Sequence, residues 1–214
     1  MACILMSIQC CLGVPPITLI SVFSQLPLLQ NLQISGVPST AIPSIMACLP
    51  NLIALDTNYE QHGNYHLPST PLPHLQRLRI QARSVDASES GDLWNWLCSL
   101  IPHEASLQSF SLTSKFAIPL SFVTRLIRRH GQSLTQFHVF ARVTPEVLVY
   151  LGRNCLALTS LVCSVASADM VRQVLSIPNV ITKRLLANDR KSYRTRQEPS
   201  YSPVHLVDRN WCHG

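Results

Sequence analysis

One arrangement of apolar residues, apolar-x-x-apolar-x-apolar, recurs along most of the chain. It stands as LMSIQC from Leu5, LQNLQI from Leu29, LIALDT from Leu52, LQRLRI from Leu75, LQSFSL from Leu107, LTQFHV from Leu134 and LTSLVC from Leu158. The first positions are separated by 24, 23, 23, 32, 27 and 24 residues, and three of the hits follow Leu-Pro-x. An apolar-rich chain supplies an occasional match by accident, but seven at near-constant spacing point to a repeated structural unit.

The second half of each hit alternates, as in a short strand with one buried face. Between hits, Pro15–Leu26, Pro38–Leu49, Ser88–Ile101, Pro119–His130, Thr144–Asn154 and Ser167–Ile177 carry apolar residues at helical spacing. Two of these have clear starts: Pro145 follows Thr144 as a first-turn proline after an N-cap, and Ser167 precedes Ala168-Asp169. Pro43 sits inside the second segment and predicts a broken or 3₁₀-like piece there. Tyr59 to Leu72, with Gly63, Pro68 and Pro71, reads as a loop without a helix.

A strand, a turn and a helix in so few residues cannot bury their own apolar side. Stacking the units solves this, because each covers its neighbour and the inward side chains merge into one core. The expected fold is therefore α/β: a curved solenoid with parallel strands on the concave side, helices on the convex side and about seven irregular repeats. Parallel neighbours need crossover connections, which the helices provide.

Through the seven L-x-x-L-x-L hits, the chain resembles the leucine-rich repeat family over roughly residues 5 to 178. The longer, cysteine-sprinkled pieces RNCLALTSL and MACLPNLIAL are similar to the repeats of F-box proteins, with the overall style of the large fungal set. The asparagine or cysteine that the family places three residues after the last apolar position is replaced here. Gly13, Val37, Glu60, Arg83, Lys115, Arg142 and Ala166 stand at those positions. No asparagine ladder can form, so backbone or water must satisfy the turn after each strand. No F-box is present in the chain.

Composition changes this picture in three ways. Only 13% of the 214 residues are charged while 47% are apolar, and no charged residue precedes Asp56. Residues 1 to 23 are apolar but lack a basic n-region, and Pro15-Pro16 divides them well short of the ~20 residues a span needs. A membrane anchor is therefore not expected. Secondly, the net charge of +6 is concentrated: Lys183 to Arg209 holds seven basic and three acidic residues. The domain reading is a repeat array over residues 1–182 and a basic, disordered tail over 183–214. In the tail, the repeat due near Val180 is interrupted because Lys183 takes its second apolar position. Thirdly, seven widely scattered glycines exclude phosphate-cradling loops, dinucleotide fingerprints and the nucleophile elbow. Eight cysteines with no C-x-x-C pair read as scattered thiols in a reducing compartment. With no N-x-S/T sequon, localisation is expected to be intracellular, cytoplasmic or nuclear.

Residues flanking the apolar positions of each strand share the face opposite the core, in rows. One row runs Gln9, Gln33, Asp56, Arg79, Ser111, His138, Val162; a second, Ser7, Asn31, Ala54, Arg77, Ser109, Gln136, Ser160; a third, Cys11, Ser35, Asn58, Gln81, Thr113, Phe140, Ser164. Arginine and aromatic side chains dominate binding energy at interfaces. Asp56, Arg77, Arg79, Gln136, His138 and Phe140 are accordingly the candidate partner-binding residues. The competing reading is a solvated sheet face on which an exposed Asp56–Arg79 pair contributes only about 0–1 kcal/mol.

Other candidates reduce to structure. His62 and His66 have metal-pair spacing but sit beside Gly63 in a loop, and His103-Glu104 lacks a second histidine. Asp86, Glu89 and Asp92 lead into Trp94 and Trp96, where acids favour a helix start. Arg125, Arg128 and Arg129 oppose Phe122, Leu126 and Ile127 and read as a solvated convex face. No catalytic residue, metal or cofactor is expected.

The resemblance implies a non-catalytic interaction module, the substrate-recognition repeats of an F-box-type ubiquitin ligase receptor. A missing upstream F-box would dock the Skp adaptor. The rival readings are a stand-alone scaffold without a ubiquitin link and a nucleic-acid-associated protein using the basic tail with Tyr193 and Tyr201. Of these, nucleic acid has the weakest support, because no recognised nucleic-acid module is present. The uncharged N-terminal units lack the polar cap of terminal repeats. Their edge is expected to be covered by an upstream domain or another chain, and the isolated product to be poorly soluble.

Overall fold

The computed structural model describes residues 5–8, 13–60, 74–82, 90–101, 105–165, 167–177, 180 and 182–187. The first half runs β1 (Leu5–Ile8), α1 (Pro16–Ser24), β2 (Asn31–Ile34), α2 (Ile42–Ala47), β3 (Ala54–Asn58), β4 (Arg77–Ala82) and α3 (Ser90–Leu100). The second runs β5 (Ser109–Ser114), α4 (Leu120–His130), β6 (Gln136–Arg142), α5 (Pro145–Asn154), β7 (Ser160–Val165), α6 (Ala168–Ser176) and β8 (Thr182–Ala187). The chain has an α/β fold with one parallel sheet whose eight strands lie in sequence order, β1 to β8. A right-handed crossover between sequential parallel strands places every connecting helix on the same side.

The hits at Leu29, Leu75, Leu107, Leu134 and Leu158 place all three apolar residues in the core, as does Leu52 with Thr57 as its third. Phe110 and Phe137 stack across β5 and β6 at 5.8 Å, and Phe122 of α4 meets Phe110 at 5.7 Å and Trp94 of α3 at 5.4 Å. Helix α4 buries Phe122, Val123, Leu126 and Ile127 while Arg125 and Arg128 stay exposed, as its pattern requires. At the entrances to five strands, β3 to β7, one carbonyl of the preceding unit accepts two successive N–H groups. Gln30 takes Ile53 and Ala54, Ile53 takes Gln76 and Arg77, Gln76 takes Gln108 and Ser109, Gln108 takes Thr135 and Gln136, and Thr135 takes Thr159 and Ser160.

The turns after the strands are closed without an asparagine ladder. Ser39 and Glu60 exchange bonds: Ser39 N and Oγ donate to Glu60 O at 3.2 and 2.7 Å, and Glu60 N donates to Ser39 Oγ at 2.7 Å. Gly36, in the left-handed region at φ 72°, donates its N–H to Asn58 Oδ1. Tyr59 N donates to Gln81 O and Ile118 N to Arg142 O. Trp96, fully buried on α3, packs edge-on to Tyr59 at 5.1 Å and donates Nε1–H to Ser39 O at 3.0 Å. It thereby ties α3 to the units before it.

Four expectations are corrected. The first hit is misplaced by two residues: Met6 pairs with Leu32 and Ile8 with Ile34, so Ser7, not Gln9, lies beside Gln33. A slip of two preserves which face each residue takes, so alternation alone could not detect it. The second helical segment is a six-residue α-helix beginning at Ile42, with Pro43 in its first turn where no N–H is needed. Helix α5 starts after Thr144 as expected, but Thr144 makes no side-chain cap bond to it; Ser167 does cap α6, accepting from Met170 N at 3.3 Å. Finally, β8 extends the sheet to Ala187, across the boundary expected at residue 182, with Lys183 in register with Leu161. His62, His66, Asp86, Glu89, His103, Glu104, Tyr193 and Tyr201 lie outside the described residues.

Candidate functional site

Strand register decides which polar residues of the helix-free face become neighbours. Asn31, Ala54, Arg77, Ser109, Gln136, Ser160 and Thr182 align across β2 to β8. Two residues on, the line is Gln33, Asp56, Arg79, Ser111, His138, Val162. Neighbours in such a line sit about 4.8 Å apart. The first two expected rows hold from β2 onward and the third from Asn58 onward, with one break. In β6 the register shifts after Val139, so that Ser164 pairs with Arg142 instead of Phe140. A bulge bends and twists its strand. Phe140 remains 41% exposed there.

The six candidate residues form two groups. Over β2 to β4, Arg77 Nη2 donates to Asn31 Oδ1 at 3.0 Å, and Asn31 is itself buried. The two residues belong to non-adjacent strands, and Ala54 lies between them in the register. Only a small side chain at that position lets the guanidinium pass over. One step along, Arg79 Nε stands 3.8 Å from Asp56 Oδ2. The pairing is as expected but its environment is not: Asp56 is 8% exposed, whereas the Arg79 side chain is 48% exposed. Burial raises the Asp56 carboxyl above its usual range, and Arg79 opposes that shift without cancelling it. The carboxylate is thus kept at a net cost beside the Arg79 guanidinium.

The second group lies on β6. His138 Nε2 is 2.8 Å from Ser160 Oγ, and Ser109 Oγ donates to Gln136 Oε1 at 3.0 Å. Burial, and then the positive charge of Arg79, push the His138 imidazole below its usual value. The ring is neutral at pH 7. Between the groups runs the serine–threonine strip of β5, Ser109, Ser111 and Thr113. The arrangement offers donors at Arg77 and Arg79, a buried acceptor at Asp56, a neutral imidazole and an exposed phenyl ring.

The sequence places Asn31, Ala54 and Ser160 in the second row but does not mark them as candidate binding residues. Their residue types carry no binding signal; only their positions in the register do. Elsewhere, burial pushes the Cys155 and Cys163 thiols up to about 11, which makes them poor nucleophiles. Among the described residues, no group of three or more His, Cys, Asp and Glu is placed to hold a metal, and no helix is long and apolar enough to cross a membrane. No protein-family model matches the chain, and no curated protein is significantly similar to it.

Proposed function

We propose that this chain is an irregular leucine-rich-repeat array of about seven units, without catalysis of its own, whose helix-free strand face recognises a protein partner. The observation that carries this reading is the Asn31–Arg77 and Asp56–Arg79 arrangement. Of two arginines on one strand, Arg77 is held by a hydrogen bond to Asn31 and Arg79 is ion-paired with Asp56, a carboxylate retained at a cost in solvation. Groups fixed in this way lose little conformational entropy on binding and become hot spots when a partner excludes water. Phe140 adds an apolar anchor at one side of the same face.

The finer role is substrate recognition for an F-box-type ubiquitin ligase receptor in the cytoplasm or nucleus, supported by the repeat style of the sequence. Ubiquitin-transfer chemistry would belong to other subunits. The test is affinity capture of the full-length gene product from cells, followed by mass spectrometry. Recovery of a Skp adaptor and cullin with the wild type, and loss of a further partner in Arg77→Ala/Arg79→Ala with the adaptor retained, is the expected result. Capture of a partner without adaptor or cullin would leave a stand-alone scaffold. An undiminished partner in the double variant would remove the strand face from consideration.

A further inference from the structure

The helix side of the sheet carries a groove between α4 and α5 that the strand-face reading does not use. Two adjoining hollows, of about 500 and 560 Å³, share Tyr150 and Asn154 as walls and so run on from one another along α5. The first is bounded by Leu120, Pro145, Val149 and Glu146, with Arg153 on the same helix. The second is bounded by Ile127, Arg128 and Gly131, with Gln132 and Ser133 beyond. Leu120 and Val149 are exposed at 40% and 38%. At Gly131 a Cβ would come within 2.7 Å of Ile127 O and 2.9 Å of Asn154 O, so the C-terminal ends of α4 and α5 lie close together there.

Charge is divided along this groove. Arg128 and Arg153 are exposed and form no ion pair among the described residues; Arg129, which also lines the second hollow, is drawn toward α3 by donating to Cys98 O at 3.4 Å. Among the described residues of the walls Glu146 is the one carboxylate; it is exposed, shares the first hollow with Arg153, and has its carboxyl pKa lowered by the Thr144 hydroxyl. Basic residues in the last turns of α4 and α5 complement the helix dipoles. That effect gives no reason for exposed leucine and valine side chains in the same channel.

We infer that the α4–α5 groove docks an amphipathic acidic segment of a partner protein, with apolar side chains on Leu120, Val149 and Tyr150 and carboxylates toward Arg128 and Arg153. Helix-in-groove recognition uses this combination of apolar anchors and flanking charge. A phosphate backbone fits less well, because it leaves the apolar anchors Leu120 and Val149 unused. This surface is on the opposite side of the sheet from Asp56, Arg77 and Arg79 and does not depend on them.

The experiment is fluorescence anisotropy on the full chain with three labelled probes: a peptide with a glutamate-rich half and a leucine-rich half, its lysine-for-glutamate counterpart, and a single-stranded oligonucleotide. The acidic peptide is expected to bind, more weakly as salt rises, and the lysine peptide to fail. Arg128→Glu/Arg153→Glu should weaken the acidic peptide at least about tenfold, and Val149→Glu should do so as well. Arg79→Ala should leave binding unchanged, and circular dichroism should show all variants folded. Equal binding by the charge-reversal variant, failure of the acidic peptide, or preferential binding of the oligonucleotide each overturns the proposal. Loss of peptide binding in Arg79→Ala would instead assign the acidic segment to the strand face.

Discussion

The two faces of the sheet are built from the same strands and obey different rules. On the helix-covered face, Leu32, Leu55, Leu78, Phe110, Phe137 and Leu161 stand side by side, all but excluded from water. Each contributes by leaving water, whoever its neighbour is. On the open face, Arg77 matters because Asn31 lies two strands away with alanine between, and Asp56 because Arg79 is alongside. One face is specified by residue type and the other by adjacency. Stability should therefore reside on the first and recognition on the second.

Substitutions on the covered face should show the largest effects. Phe110→Ala removes a ring that touches both Phe137 and Phe122, and thermal or urea unfolding should show a loss of about 3–5 kcal/mol. Gly131→Ala should follow at roughly 1–3 kcal/mol, because the new methyl meets backbone oxygens that cannot move aside. On the open face, Arg77→Ala should change stability far less than Phe110→Ala while weakening partner capture strongly. Comparable destabilisation by both would erase the division between the faces.

Two pH experiments probe the same contrast more gently. Asp56 has a raised folded-state pKa, so the folded chain binds the extra proton, and stability falls as pH rises from the usual carboxylate value of 3.8 through the folded value. Asp56→Asn should consequently be neutral or stabilising at pH 7, with the difference vanishing in acid; a large loss at pH 7 would mean the Arg79 pair outweighs desolvation. His138 has a lowered folded-state pKa, so the unfolded chain takes its proton first, and stability declines as pH falls below about 6.5. His138→Gln should flatten that part of the unfolding profile slightly. An unchanged slope would show that the ring is solvated in the folded chain.

Much of the fold was legible because burial is a property of residue type. Seven short apolar patterns located seven of the eight strands, and the intervening apolar spacing located the helices to within a few residues. The failures share a cause. Nothing in the composition of LMSIQC distinguishes a register shifted by two, since each residue keeps its face, and Lys183 gave no sign that the backbone of β8 would still pair with β7. Trp96 was read only as part of a helix entry, whereas its contacts with Tyr59 and Ser39 join regions far apart in the chain.

The candidate site divides in the same way. The polar rows follow from strand period and repeat spacing, which group Asp56, Arg77, Arg79, Gln136, His138 and Phe140 on one face. Tertiary structure decided that Asp56 is buried, that Arg77 reaches across Ala54 to Asn31, and that a register shift parts Phe140 from Ser164 while leaving it beside Thr113. The repeat period sets which face a side chain takes. Its solvation and partners depend on strands brought beside it from other parts of the chain, and those are fixed only when the sheet closes its register.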